Sequence, residues 1–174
     1  QEYFADGITE DIIANLSLWK TFPVISRNSS FSFKNSTEKS DVISKALGAR
    51  YLVEGSVRKA GNKVRITAQL TSADDDKQIW SKRWDRSLED IFEVQDEVSR
   101  DVAALISPAL KDQEQVKLST KGKKNFGAWD EYLQGLNIYN TENFAGSTSG
   151  DKVIEHCKRA IELDANFCDA YVLY

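Results

Sequence analysis

The side chains able to do chemistry in this 174-residue chain are few and lie far apart. The single histidine, His156, stands beside Glu155 and Lys158 in helical sequence and reads as a surface residue. Serines are plentiful, but no Gly-x-Ser-x-Gly occurs, and a solvent-side imidazole makes a poor base for a serine nucleophile. Neither Gly-x4-Gly-Lys-Ser/Thr nor Gly-x-Gly-x-x-Gly is present. Asp74, Asp75 and Asp76 lack the spaced ligands and bidentate Glu of a calcium loop, so they read as a solvated turn. The acid pairs Glu10/Asp11 and Glu89/Asp90 each open a helix, where the helix dipole stabilises carboxylates. Cys157 and Cys168 do not have zinc-site spacing. They are either two buried apolar side chains or a disulfide between neighbouring helices, which would need an oxidising compartment. No catalytic residue, metal ligand or cofactor-binding residue is therefore assigned, and no cofactor is expected.

Interaction surface remains. Tyr51, Val53 and Val57 alternate with Leu52, Glu54, Ser56 and Arg58, and Val64, Ile66, Ala68 and Leu70 alternate with Arg65, Thr67, Gln69 and Thr71, across an Ala60-Gly61-Asn62 turn. Period two makes this a β-hairpin with one apolar and one polar face. Glu54, Arg58, Arg65, Thr67 and Gln69 should share the polar face, which is either simply solvated or the seat of a partner.

Several elements must position these residues. Ile8, Ile12, Leu16 and Trp19 fall on one helical face, with Asp6 as a candidate cap. Residues 24–26 predict a short strand, and residues 27–39 a loop pinned by Phe31 and Phe33. Residues 37–48 predict a helix with Val42, Ile43, Ala46 and Leu47 inward and Gly48 at its end. A third strand over 78–85 carries Trp80 and Trp84. A helix from Ser87 presents Ile91, Val94, Val98, Val102 and Leu105, and Pro108 ends or kinks it. This helix and the two before it are expected to cover one sheet face. The polar stretch from residue 111 on reads as a linker. Helices follow over 128–139 and 151–163, separated by a loop over 141–150, and another begins at Asp169. The stripe of Trp129, Tyr132 and Tyr139 is expected to pack against the later helices.

Composition agrees with this outline. Hydrophobic residues make up 41% and charged residues 29%, which suits a globular chain that folds without disulfides or metals. No apolar run approaches the ~18 residues of a membrane helix, so this chain is not expected to insert into a membrane. With 23 basic against 27 acidic residues the net charge is −4, which argues against nucleic acid as the partner. Lys121, Lys123 and Lys124 form the one local basic run and read as solvated linker. There is no Met, so the sequence is expected to be an internal piece of a longer protein.

Residues 3–107 resemble the TolB-like N-terminal domain of bacterial regulatory proteins. The matching blocks are Tyr3-Phe4-Ala5-Asp6-Gly7-Ile8-Thr9-Glu10, Val24-Ile25-Ser26-Arg27-Asn28-Ser29-Ser30-Phe31, Leu47-Gly48-Ala49-Arg50-Tyr51-Leu52-Val53-Glu54-Gly55-Ser56-Val57-Arg58, Asn62-Lys63-Val64-Arg65-Ile66-Thr67-Ala68-Gln69-Leu70 and Ile79-Trp80-Ser81-Lys82-Arg83-Trp84-Asp85. The resemblance implies an α/β sandwich with helices on one sheet face. It also implies a non-catalytic sensing or assembly module, of the kind that accompanies adenylate or guanylate cyclases, winged-helix regulators and tetratricopeptide proteins. The family pattern starts with one more strand before Tyr3. Without it the sheet has an open edge that another chain could fill.

Residues 128–174 resemble tetratricopeptide repeats. Tyr132 and Gly135 match the first helix, and Ala160-Ile161-Glu162-Leu163-Asp164-Ala165-Asn166-Phe167 the end of the second. Ala170-Tyr171 matches the start of the next repeat. The resemblance gives Tyr132, Gly135, Ala160 and Tyr171 packing roles, since small residues let helices approach. Ala165 departs from the usual Pro, and the loop over 141–150 is longer than the repeat allows. One and a half repeats cannot bury their apolar face alone, so these helices should lean on the α/β domain or on a second chain.

The expected fold class is α/β: a small mixed sheet with helices packed on one face, followed by an all-α helical-hairpin segment. The expected organisation is a TolB-like domain over 1–110, a linker over 111–127, and the start of a tetratricopeptide-like array over 128–174. The leading functional expectation is a non-catalytic regulatory module of a larger bacterial signalling protein, such as an adenylate or guanylate cyclase. The alternatives are the sensory part of a winged-helix regulator and a small-molecule-binding α/β domain. The expected partner is a protein or peptide. A homodimer through the open sheet edge or the helical array is a further option, and the compartment, cytoplasmic or periplasmic, stays open.

Overall fold

The computed structural model describes residues 2–74, 76–107, 125–141 and 147–173. The expectations for Asp75, Pro108, the three clustered lysines, the linker up to residue 124 and the loop over 142–146 lie outside the described residues. The chain divides into two compact units, one within Ile8–Leu118 and one formed by Gln1–Gly7 with Ser119–Tyr174.

The first unit is α/β. Helix α1 (Glu2–Ser17) enters it at Ile8, followed by α2 (Arg27–Phe31), α3 (Ser40–Leu47), strands β1 (Tyr51–Ala60), β2 (Lys63–Ser72) and β3 (Lys77–Ser87), a 3-10 turn at Leu88–Asp90, and α4 (Ile91–Ile106). The sheet has the order β1-β2-β3. Both pairs are antiparallel rather than of mixed direction. The physical reason is the length of the connections: two to four residues can reverse a chain but cannot carry it across for a parallel return.

β2 lies in the middle, and its inward residues Val64, Ile66, Ala68 and Leu70 are 4% exposed or less. Helix α4 packs on β2 and β3. Its Ile91, Val94, Val98 and Val102 are fully buried at the three- and four-residue spacing of one helix face. Each such burial contributes ~1.5–3 kcal/mol, so this stripe is the main hold on the sheet. Polar ties add direction. The Trp84 indole N–H donates to Glu97 at 2.7 Å. Lys82 lays its ammonium 4.9 Å from the Trp84 ring and reaches Asp101 at 2.8 Å. Asn15 of α1 donates to Asp96 of α4 at 3.1 Å.

Several local expectations give way to the structure. Residues 24–26 are not a strand, since no neighbouring strand offers them a ladder. Ser26 instead caps α2, accepting from the Ser29 amide at 3.4 Å. The segment expected to be loop is therefore partly helical, and the Arg27 guanidinium covers the Phe31 ring at 4.2 Å and pairs with Glu10 at 2.8 Å. Helix α1 begins at least four residues before Asp6, so Asp6 lies inside it and does not cap it. Helix α3 starts at Ser40, turns Ile43 and Ser44 inward, and leaves Val42 and Ala46 exposed. It ends at Gly48 with φ 64.

The second unit is helical. The first residues of α1 join α5 (Phe126–Thr141), α6 (Ser147–Leu163) and α7 (Cys168–Leu173). Asn125 starts α5 by accepting from the amides of Gly127 at 2.9 Å and Ala128 at 3.3 Å, the work of a helix cap. α6 buries Val153, Cys157 and Ala160, again at spacings of four and three. Within the expected aromatic stripe, Trp129 meets a partner from the start of the chain. It packs edge-on against Phe4 of α1 at 5.5 Å, while Tyr139 is exposed. Tyr3 donates to Asp130 at 3.2 Å, and Gly7 faces the Leu133 side chain. The start of α1 thus covers apolar surface that α5 and α6 cannot bury by themselves.

Candidate partner-binding face

The strand register decides what the sheet presents on the side away from α4. Glu54 stands opposite Gln69, Ser56 opposite Thr67, and Arg58 opposite Arg65. On the other side of β2, Gln69 meets Ser81, Thr67 meets Arg83, and Arg65 meets Asp85. All five residues expected on the polar face are therefore brought together. β3 adds Ser81, Arg83 and Asp85, which alternate with the inward Trp80, Lys82 and Trp84. That alternation was the available signal for them.

Gly55 shapes the middle of β1. A Cβ at this position would stand 2.5 Å from the Thr67 carbonyl oxygen, so only glycine lets the two backbones lie this close. Glu54, Gly55, Ser56, Thr67 and Gln69 line an open hollow of about 340 Å³. Glu54 accepts from Ser40 of α3 and from Gln69, both at 3.3 Å. The hollow thus has a carboxylate already engaged by two neutral donors and hydroxyls around it, suited to hydrogen bonding rather than to proton transfer.

The other end of the face is basic. Arg65 bonds Asp85 at 2.5 Å, and Arg83 lies 3.6 Å from the same carboxylate. The bond from Arg65 holds the Asp85 carboxyl below its ordinary range, with Arg83 and Arg86 adding to the effect. The Arg65 guanidinium is raised in turn by Asp85.

The remaining candidate groups do not join this face. His156 is half-buried rather than fully at the surface. Its side chain is 19% exposed, and its Nδ1 lies 2.7 Å from Glu131 of α5, a partner 25 residues away that only the folded chain reveals. Tyr132 packs edge-on against Phe167 at 5.5 Å. Gly135 and Ala160 are buried. Gly135 faces the His156 Cβ, which a Cβ of its own would meet at 3.2 Å. Tyr171 is 53% exposed, and among the described residues its hydroxyl donates to the Ala165 carbonyl at 3.3 Å. Both cysteines are free thiols. Cys157 is buried, which pushes its thiol up, and Cys168 is exposed rather than buried. Among the described residues no three His, Cys, Asp or Glu side chains converge as a metal site, and no helix is long and apolar enough to cross a membrane.

No family model matches the chain. Over 171 residues, 98% of its length, it is 39% identical to a Rhizobium meliloti (strain 1021) protein named "Putative adenylate cyclase 3". The chain resembles one part of a larger cyclase-like protein. It spans 29% of that relative's length, and an alignment over 98% of the chain takes in both compact units.

Proposed function

We propose that this chain is a non-catalytic regulatory and protein-interaction module of a larger bacterial signalling protein of the nucleotide cyclase type. One observation carries the reading: nearly the whole chain aligns with less than a third of a cyclase-named relative. A segment of that proportion leaves room elsewhere for a catalytic domain. Within the chain, the groups with chemical capacity support the same reading. Glu54 is held by Ser40 and Gln69, and His156 is held by Glu131. In this reading the α/β unit is a TolB-like sensing or assembly domain, and α5 to α7 begin a tetratricopeptide-like array. The relative's name favours the cyclase context over that of a winged-helix regulator.

The test is an assay of the purified chain with ATP or GTP and Mg²⁺ or Mn²⁺, paired with a longer protein that includes the chain and its cyclase domain. The chain alone should form no cyclic nucleotide. Removing the segment from the longer protein should alter how its cyclase activity responds to partners and leave basal turnover in place. Cyclic nucleotide formation by the isolated chain would overturn the assignment.

A further inference from the structure

The basic end of the exposed sheet face has an electrostatic imbalance that the fold does not correct. Arg58, Lys63, Arg65 and Arg83 point to one side of three adjacent strands, and Asp85 is the acid among them. Asp85 is committed to Arg65 and Arg83. Among the described residues, Arg58 and Lys63 have no ion-pair partner. Arg58 also sits directly across from Arg65, an arrangement that like charges disfavour in a ladder. Four cations around one acid leave a formal +3 on one small face, in a chain whose net charge is −4.

We propose that this face docks a short acidic polypeptide segment of a partner protein. The inference rests on the reading of the chain as an interaction module and gives the partner's chemistry. An Asp or Glu side chain placed between Arg58 and Arg65 would take up the uncompensated guanidinium and relieve the repulsion, with bidentate geometry open to it. Ser56, Thr67 and Ser81 lie among the cations as further hydrogen-bonding groups. The hollow over Gly55 admits a neighbouring side chain.

Size and composition favour a polypeptide over nucleic acid. At ~4.8 Å between strands and ~3.4 Å per residue the basic area is about 10 by 14 Å, enough for about four extended residues. A longer polyanion would run onto Glu54 at the other end of the face. The exposed face also has no aromatic side chain on which bases could stack, since Trp80 and Trp84 belong to the opposite face.

The test measures binding of a fluorescein-labelled ten-residue peptide, four consecutive glutamates flanked by glycine and serine, to the intact chain by anisotropy, at 50 and 300 mM NaCl. The wild type should bind, and binding should weaken as salt rises. Arg58→Gln with Arg83→Gln should weaken binding at least tenfold and flatten the salt dependence. Arg58→Lys with Arg83→Lys should restore most of the affinity, and Lys152→Gln on α6 should leave it unchanged. Circular dichroism melts of each variant report folding. Lack of binding by the wild type would overturn the proposal. So would equal weakening by Lys152→Gln, equal loss in the lysine variant, or a thymidine decanucleotide binding at least as tightly as the peptide. Failed peptide binding by a chain without cyclase activity would remove this docking assignment alone. Cyclase activity with peptide binding intact would remove only the module reading.

Discussion

His156 Nδ1 lies 2.7 Å from a Glu131 carboxylate oxygen and ties α6 to α5. The pair is mostly sheltered, with the two side chains 19% and 23% exposed. It sits where Gly135 lets the helices come close, because the Cβ that a side chain would need there meets His156 Cβ at 3.2 Å. The single histidine of the chain thus fastens two helices together.

Its loss should therefore read as lost stability. His156→Ala removes a hydrogen bond to a charged group, which is commonly worth ~1.5–3 kcal/mol. Partial exposure brings the expectation to about 1 kcal/mol. Glu131→Gln keeps an acceptor at the same place and should cost less. Urea unfolding followed by circular dichroism measures both, and an unchanged midpoint for His156→Ala would show that the pair contributes nothing.

Gly55→Val should be costlier, because its new Cβ would lie 2.5 Å from a backbone oxygen, which cannot swing aside as a side-chain tip can. β1 would have to lift from β2. Overpacking of this kind costs ~1–3 kcal/mol, and the upper half of that range is expected here. A thermal melt matching the wild type would show that the strands part more easily than their register implies.

Alkaline pH should loosen the helical unit through Tyr3. Burial, followed by the Asp130 charge and the hydrogen bond to Asp130, pushes the Tyr3 phenol up to about 12 from an ordinary 10.0. The folded state therefore holds this proton more tightly than the unfolded chain does. The stabilisation is complete below pH 10 and drains away as pH rises towards 12. Tyr3→Phe should flatten that part of the stability profile. Ultraviolet titration should find a phenol ionising at about pH 12 that Tyr3→Phe removes, and loss of stability over the same window in Tyr3→Phe would refute the assignment.

Periodic sequence proved readable. The alternation in β1 and β2 placed Glu54, Arg58, Arg65, Thr67 and Gln69 on one face, and the spacing of Val94, Val98 and Val102 placed one stripe of α4 inward. The failures come from short or aperiodic segments. α2 has five residues, too few to show a helical period, and its signal was the Ser26 cap. The start of α1 was missed because Phe4 and Gly7 are buried in the helical unit, far along the chain from the residues that cover them.

The sequence alone determined the three strands, the long helix α4 and which side of each is apolar, because a sustained period follows from contacts within a few residues. It also determined the acidic balance of the chain. Tertiary structure decided which distant groups meet: Trp129 with Phe4, His156 with Glu131, and Asp85 with Arg65 and Arg83. Those pairings depend on register and on helix packing, where one residue of slip turns a side chain to the opposite face. The concentration of positive charge on one sheet face is the clearest case. A net charge of −4 hides it, and only three strands laid side by side make it a surface.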